Sequence, residues 1–585
     1  MKVRELKSTQ SGSDASILRW GLAAIVSVIA APSAFGQTAA PNQTPPGESA
    51  IEPSPQTQFA FPPAQGLTAP EGAEEIEVTL ADISVDGQYP ELEQVSDALK
   101  QERIGRQVTV ADVYGFAADL QQAYFEAGYP LARVVVPPQQ LDQQGVVRIL
   151  VVDGFVSRAD VSQLPERVRS QVNALLSPLV GARRPTRAKI ERAVLLAGDV
   201  AGLKLRSALT PGDEVGATVL VLSGEHDSVA AAISVDNRVG EELGRWQTTA
   251  SVVLNSYFGH GEQLYAVAAV PADEDAFRSD SRRNYLGFGV QTPIGTDGAS
   301  VGASLDYSTT HPRGDVAQQK LESEYARVGV NLSYPFVRSR TLNVRGRAAF
   351  DLISDVESTR FTGERVTLSA DRTRVARLSV EAENEFAGGA RAAASATLSH
   401  GLDVFGARQQ SDASALKPIS RSGAQSNFST LEIGLNAVVP FGEDWQAAAS
   451  ARAQVSFNEP VVRSEQFSPS GASTGISGPP PGAMTGDAGS VGRVEFTRPV
   501  RLNLPQAGYV APYVFAEAAT TTLEKPSALE SARSEIAGAG LGVRFGLGQT
   551  PFGYSWTGSV EFANTNSDQD GLDREWVTAA LSFRF

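Results

Sequence analysis

The sequence predicts an all-β transmembrane barrel of 16 strands preceded by two small α+β modules, and three features of its 585 residues carry that prediction. From His226 to Phe585 apolar residues recur with period two, the connections in that region alternate short and long, and residues 74–225 show instead a β-α-α-β-β order twice. Period-two alternation marks strands with one buried face, and an even strand count with short turns at one end and long loops at the other is the pattern of a bacterial outer-membrane barrel. The chain divides accordingly into a signal peptide at 1–36, a Pro-rich linker at 37–73, modules at 74–154 and 155–225, and the barrel at 226–585.

At the N-terminus Lys2, Arg4, Lys7 and Arg19 precede an apolar run from Trp20 to Ala31, then small residues Ser33, Ala34 and Gly36, which reads as an export signal cleaved before Gln37. The run of about 12 residues covers roughly 18 Å as a helix, short of the ~30 Å hydrocarbon core. No later stretch has 18 consecutive apolar residues, so a helical membrane protein is excluded. Pro41, Pro45, Pro46, Pro53, Pro55, Pro62, Pro63 and Pro70 make the next segment an extended tether.

In the first module Ile76, Val78, Leu80, Ile83 and Val85 read as a strand, and Leu92, Val95 and Leu99 have helical spacing. Val113, Phe116, Ala117, Leu120, Tyr124 and Phe125 form the apolar stripe of a second helix ending at Gly128, followed by β-rich runs at Ala132–Val136 and Val146–Val152. The order repeats with a strand at Phe155–Leu164, helices at Val168–Leu176 and Lys189–Ala197, and strands at Leu203–Leu209 and Ala217–Leu222.

In the barrel region Val301, Ala303, Leu305 and Tyr307 share one face, with Gly302, Ser304, Asp306 and Ser308 on the other; Leu431, Ile433 and Leu435 alternate likewise with Glu432, Gly434 and Asn436. One face meets lipid and the other water. Turn signals place strand starts near Val229, Trp246, Gln263, Asn284, Ala299, Ala326, Leu342, Val375, Ala392, Thr430, Trp445, Val491, Val510, Ile536, Tyr554 and Trp576. Gly295–Gly298, Gly388–Gly389, Gly442–Asp444 and Gln506–Gly508 mark tight periplasmic turns, whereas loops around Asp275, Asp315, Arg365, Lys417, Gly475, Lys525 and Asp568 read as long and extracellular. The last strand carries Val577, Ala579, Leu581, Phe583 and Phe585 on one face. A soluble sandwich or propeller would not alternate its loop lengths in this way.

The net charge of -16 excludes general binding to nucleic acid, which needs clustered Lys and Arg. The chain has no Cys, which removes disulfides, thiolate catalysis and Cys-ligated zinc, and His226, His260, His311 and His400 lie singly, without metal-site spacing. Gly471-Ala472-Ser473-Thr474-Gly475 matches the G-x-S-x-G of serine hydrolases, but Pro479, Pro480 and Pro481 bar the helix that motif requires. No carboxylate pairs with a candidate nucleophile, so neither an enzyme nor a cofactor or metal site is expected.

Gly128-Tyr129-Pro130-Leu131-Ala132-Arg133, then Val136-Pro137-Pro138-Gln139, Gly145 and Val151-Val152-Asp153-Gly154, resembles the end of a POTRA domain in two-partner secretion transporters, the haemolysin secretion/activation (TpsB) family. Asp236-Asn237-Arg238 with Gly240 and Gly244 resembles the first barrel hairpin of that family. Gly486-Asp487-Ala488-Gly489 with Arg493 and Glu495 resembles the stretch after its sixth extracellular loop, and Tyr513-Val514-Phe515-Ala516-Glu517 its penultimate barrel motif. In this order the motifs cover nearly the whole mature chain, as two POTRA-like domains and the barrel.

The resemblance implies an outer-membrane pore that exports a secreted partner exoprotein of haemolysin or adhesin type. Gly128, Tyr129, Pro137, Gln139 and Gly154 would belong to the region that captures it. Lipid, lipopolysaccharide and the barrel-assembly machinery would be further partners, the last reading Phe585 at the chain end. A barrel-assembly insertase of the same superfamily is the first alternative, disfavoured by two modules instead of three or five. A passive porin or adhesin is the second, and would leave the periplasmic modules without a purpose.

The chain departs from the family pattern at the loop tip. Where members place the Arg of V-R-G-[YF], this sequence has Ile476-Ser477-Gly478-Pro479, and the Asp and Gly of F-x-D-x-G are Glu517 and Ala519; Val344-Arg345-Gly346 lies on a strand and is a decoy. The loop-to-wall ion pair is therefore expected to be missing. By strand alternation Glu517 faces the lumen and pairs with Arg493, which alternates inward with Glu495, leaving the long loop on weaker contacts. The family's plug helix before the first POTRA domain finds little room in the tether.

Overall fold

The computed structural model describes residues 68–585 apart from 141–144, 277, 315–319, 362–363, 458, 471–474, 504–507, 529 and 549–553. The signal peptide, most of the tether with any plug helix, the loop around Asp315, most of the turn at 506–508 and most of the G-x-S-x-G match lie outside the described residues.

The first module contains β1 (Glu77–Thr79), β2 (Asp82–Asp86), α1 (Glu93–Gln101), β3 (Gln107–Thr109), α2 (Val110–Glu126), β4 (Arg133–Val135) and β5 (Val146–Val152). Its three-stranded sheet runs β2-β5-β4, with β2 parallel and β4 antiparallel to β5. The run Ile76–Val85 is two strands and not one. At Leu80 and Ala81 the backbone changes partner, bonding Arg106, Gly105 and Gly145, so β1 pairs with β3 and β2 with β5. Alternation continues through that exchange and cannot reveal it. Val95, expected on the buried stripe with Leu92, is exposed, because α1 turns Ser96 inward in its place. A reciprocal capping box between Thr109 and Asp112 starts α2, whose Phe116, Leu120 and Tyr124 pack on Ile149 and Tyr89 in the core.

The second module, β6 (Phe155–Gln163), α3 (Glu166–Leu176), α4 (Arg187–Gly198), β7 (Leu203–Pro211) and β8 (Ala217–His226), repeats that topology: order β6-β8-β7, with β6 parallel and β7 antiparallel to β8. Its own core holds Val156, Val168, Val172, Ile190, Val194 and Leu220.

The barrel strands are β9 (Val229–Asp236), β10 (Gln247–Asn255), β11 (Gln263–Pro271), β12 (Arg283–Ile294), β13 (Ala299–Thr310), β14 (Leu321–Arg338), β15 (Leu342–Phe361), β16 (Glu364–Glu385) and β17 (Arg391–Gly401). They continue as β18 (Ser429–Phe441), β19 (Trp445–Val455), β20 (Ala488–Thr497), β21 (Val500–Arg501), β22 (Tyr509–Thr522), β23 (Arg533–Leu547), β24 (Ser555–Ser567) and β25 (Glu575–Arg584). β20 and β21 both pair with β22 as one interrupted strand, so the closed antiparallel barrel has 16 strands, the number the sequence predicts. Leu305, Val328, Leu378, Leu435, Val494 and Leu541 are exposed on the outer face, while Asp306, Asp351, Arg377, Arg493 and Glu517 are buried on the inner one.

The segment around Arg365 is not a long loop. Phe361 pairs with Glu364, and β14 and β16 begin at Leu321 and Glu364, upstream of the expected Ala326 and Val375. β14, β15 and β16 have 18, 20 and 22 residues, about twice the 9–11 that a tilted strand needs to cross the membrane. Their outer parts extend beyond that length, and charged residues such as Glu322, Glu324, Arg360 and Arg365 dilute the apolar pattern there.

The seam is short: β25 and β9 share five register pairs, from Ala580↔Asp236 to Arg584↔Ala232. Phe585 extends it at the periplasmic end through its amide, 2.9 Å from the Ala231 carbonyl oxygen. Asn237 extends it at the other end, its Nδ2 donating to the Val577 carbonyl at 2.9 Å and its Oδ1 accepting from the Ala579 amide at 2.8 Å. The side chain thus takes the place of another ladder rung. With each net hydrogen bond contributing about 0.5–1.5 kcal/mol, Asn237→Ala is expected to cost about 1–3 kcal/mol and lower the temperature at which the folded band unfolds in gel-shift assays. An unchanged transition would refute the role of Asn237 at the seam.

Candidate functional site

In its described residues, the connection between β19 and β20, within 456–487, folds back into the barrel. Its Val461, Val462, Phe467, Ile476 and Met484 are buried, and it bridges two separated parts of the wall. Near its start Glu465 is gripped by Arg377 of β16, with Nη2 2.8 Å from Oε1 and Nη1 3.1 Å from Oε2. Arg377 Nε also donates to Asp351 at 2.9 Å, and Arg327 of β14 donates to the same carboxylate at 3.0 Å. The signs alternate along this chain, so each buried charge has opposite neighbours, the condition under which buried ions are tolerated. Arg463, two residues earlier, donates Nη1 to Glu357 at 2.5 Å and Nη2 to the Ser369 hydroxyl at 2.7 Å.

The loop tip lands across the lumen, on the wall made by β20, β22, β24 and β25. The Ser477 amide donates to Glu517 Oε1 at 2.7 Å, and its hydroxyl lies 3.2 Å from Oε2. Arg493 stands directly opposite Glu517 across the β20–β22 ladder. Its Nη1 donates to Glu517 at 2.9 Å and to the Ser477 hydroxyl at 2.5 Å, while its Nη2 reaches Glu561 at 2.7 Å and Glu495 at 3.1 Å. The guanidinium lies 3.8 Å from the centre of the Phe515 ring, Arg544 pairs with Glu495 at 2.7 Å, and the Tyr513 hydroxyl donates to Glu561 at 2.8 Å.

Gly478 has φ +102°, and a Cβ there would clash with the Trp576 side chain, so any other residue would meet both a strained backbone and the indole. A Cβ on Gly489 would sit 2.6 Å from Phe467 Cδ1, and one on Gly486 2.7 Å from the Thr522 carbonyl oxygen; both glycines let the returning loop pack tightly. Asp487 is fully buried and staples three extracellular connections, accepting from the Val461 amide at 2.9 Å and the Glu524 amide at 2.6 Å and lying 3.3 Å from Arg421.

Two expectations from the sequence are corrected here. The loop-to-wall ion pair is present, but it has moved from the tip to Glu465 and Arg463. The tip itself is not loosely held, because Ser477 shares the buried Glu517–Arg493 pair. Arg463 and Glu465 escaped the sequence reading, since their partners lie about a hundred residues away in other strands. The one local signal is the apolar flank formed by Val461, Val462 and Phe467 in an otherwise polar connection.

The residues that the resemblance assigns to capture fall in two places. Gly128, Tyr129 and Gly154 lie at the joint between the modules: the Gly128 carbonyl accepts from the Arg187 amide at 2.8 Å, and the Gly154 carbonyl from the Arg184 amide at 3.2 Å. Tyr129 packs edge-on to Tyr89, with ring centres 5.0 Å apart, and Arg184 covers Tyr89 at 4.2 Å while bonding Asp153 at 2.9 Å. Burial, reinforced by the Asp153 charge, pushes the Tyr89 phenol well above its usual range, and the hydrogen bond from Tyr129 lowers Glu91. Gln139, beyond Pro137, instead pairs through its amide with both backbone groups of Arg148 on β5, each at 2.8 Å. It thereby covers a stretch of sheet edge that β4 leaves open.

The second module is docked on the periplasmic turns. Arg338 forks onto Asp199 at 2.7 and 2.8 Å, Arg192 bonds Asp297 at 3.1 Å, and the Glu191 carboxylate accepts from the Arg340 amide at 2.7 Å. Arg167 lies 4.7 Å from the Tyr257 ring centre. These contacts reach the turns from β10–β11 to β14–β15. On the motif hairpin, Asp236 accepts from Gln247 at 3.2 Å and from the Arg238 amide at 3.1 Å, holding the bend after β9.

A closed barrel with a loop pinned in its lumen and an α+β module at its periplasmic mouth defines an outer-membrane barrel protein carrying periplasmic POTRA domains. Residues 216–545 match the haemolysin secretion/activation protein family ShlB/FhaC/HecB, and residues 78–154 match the ShlB-type POTRA domain. The chain belongs to that family. Among curated proteins it is similar to the heme/hemopexin transporter protein HuxB of Haemophilus influenzae strain 86-028NP, 22% identical over 252 residues, which span 42% of this chain and 43% of that protein. Among solved structures it is similar to CdiB from Escherichia coli (TM-score 0.68, 18% identity, 89% of this chain and 92% of that one). CdiB from Acinetobacter baumannii is similar over 98% of both chains, with TM-score 0.60 and 15% identity.

Proposed function

We propose that the chain is a two-partner secretion translocator that passes an unfolded exoprotein of haemolysin or adhesin type from the periplasm to the cell surface. The observation that carries this reading is the lumen loop, held by directed ionic contacts at two walls. A passive porin needs no such pinned obstruction, whereas a pore for an extended chain must be closed at rest and polar when open. The docked second module supports it, because its three-stranded sheet stands beside the periplasmic mouth and an extended chain can pair with an edge strand. HuxB, a transporter by name, is compatible with a secreted cargo.

The test is co-expression of the chain with the exoprotein encoded beside it in a Gram-negative host lacking both. Appearance of that exoprotein at the surface or in the medium only when the chain is present is the expected result. Export independent of the chain, or proteoliposomes that merely leak solutes or insert another barrel, would overturn it.

A further inference from the structure

At the extracellular end of β15 and β16, facing the lumen, Asp355 and Asp371 stand directly opposite one another across the ladder. Their exposures are 0% and 2%. Among the described residues, neither oxygen of Asp355 has a hydrogen-bond partner, nor has Oδ2 of Asp371. Asp371 Oδ1 accepts from the Ser420 amide at 2.9 Å. The Thr373 hydroxyl, on the same face one step along β16, is buried and likewise without a partner.

The nearby cations make their hydrogen bonds to other groups. Arg463 gives Nη1 to Glu357 and Nη2 to Ser369, and only its Nε approaches Asp355, at 3.7 Å. Arg408 donates to the backbone carbonyls of Ala370, Asp412 and Lys417. Arg463 thus serves two carboxylates, Glu357 and Asp355, with one charge, and among the described residues no guanidinium hydrogen-bonds either member of the opposed pair. A buried carboxylate without hydrogen-bond donors is costly, and two face to face cost more.

We propose that Asp355 and Asp371, with the Thr373 hydroxyl, hold a hard divalent cation, calcium or magnesium. The donors are all oxygen, which selects that class over zinc or copper. A divalent ion between the two carboxylates would relieve their mutual repulsion. No third carboxylate, His or Cys joins the group among the described residues, so water and carbonyl oxygens complete the shell. A cavity of about 250 Å³ lies beside the residues that flank the pair, lined by Glu357, Ser369, Ser420, Arg421, Arg463 and Glu530. Ser420 and Arg463 come from different extracellular connections, so a bound ion strengthens the seat of both on the wall.

The experiment uses the full mature chain folded in detergent, stripped with EDTA and titrated with calcium chloride and magnesium chloride in 0.1 M NaCl at pH 7.5. One ion per chain is expected, with a rise in unfolding temperature on its addition. Asp355→Asn and Asp371→Asn, which keep shape and hydrogen-bonding capacity, should fold, lose affinity at least tenfold and no longer respond to the ion. Absence of binding overturns the proposal, as does binding that survives both substitutions. An unfolding temperature that falls between pH 6 and 8 but ignores calcium and magnesium overturns it too, because the pair then shares a proton.

Discussion

Replacing Arg493 with Ala is expected to free the tip of the lumen loop while leaving the barrel assembled. The guanidinium is the shared partner of Glu495, Glu517 and Glu561 and also holds the Ser477 hydroxyl. After its removal Glu495 keeps Arg544, and Glu561 keeps the Tyr513 hydroxyl. Glu517, whose side chain is fully buried, keeps only Ser477. Stranding one member of a buried ion pair costs about 3–5 kcal/mol, and the least expensive relief is for water to enter as the tip swings away. The barrel ladder does not pass through this contact, so its closure should survive. The measurements are protease cleavage between residues 475 and 486 from the outside and single-channel conductance, both expected to rise strongly. Arg493→Lys should recover only part of the closed state, because one ammonium cannot serve four acceptors in two directions. Unchanged cleavage and conductance in Arg493→Ala would show that the tip is held by something else.

Deleting residues 74–224 is expected to abolish export of the partner exoprotein while a heat-modifiable barrel still reaches the membrane. Each module has its own hydrophobic core, and the barrel closes on itself through β9 and β25. The contacts that dock the second module, Arg192–Asp297 and Arg338–Asp199, are partly exposed ion pairs. Such pairs contribute about 0–1 kcal/mol each, too little for barrel stability to depend on them. What the deletion removes is the surface presented beside the periplasmic mouth. Surface display of the exoprotein at the wild-type level, or loss of the folded barrel band, would contradict this division of labour.

The sequence by itself determined the strand count, the alternation of inner and outer faces and the doubling of the α+β unit. These depend on which side of a strand or helix is apolar, a property written along a few consecutive residues. It also placed Arg493, Glu495 and Glu517 on one inner face, because alternation is strict within β20 and β22. It misread the region of Arg365, where long strands run past the membrane and charged residues dilute the apolar pattern, and the run from Ile76 to Val85, where the backbone changes partner without breaking its rhythm. The joint formed by Gly128, Tyr129 and Gly154 was invisible for a related reason, since a motif fixes local backbone shape and not the neighbour that packs on it. Only the tertiary structure decided how the lumen loop is held. Glu465 meets Arg377, and Arg463 meets Glu357, across separations of 88 and 106 residues. Opposite charges carry no periodicity linking partners so far apart, and the barrel's closure alone brings them within reach.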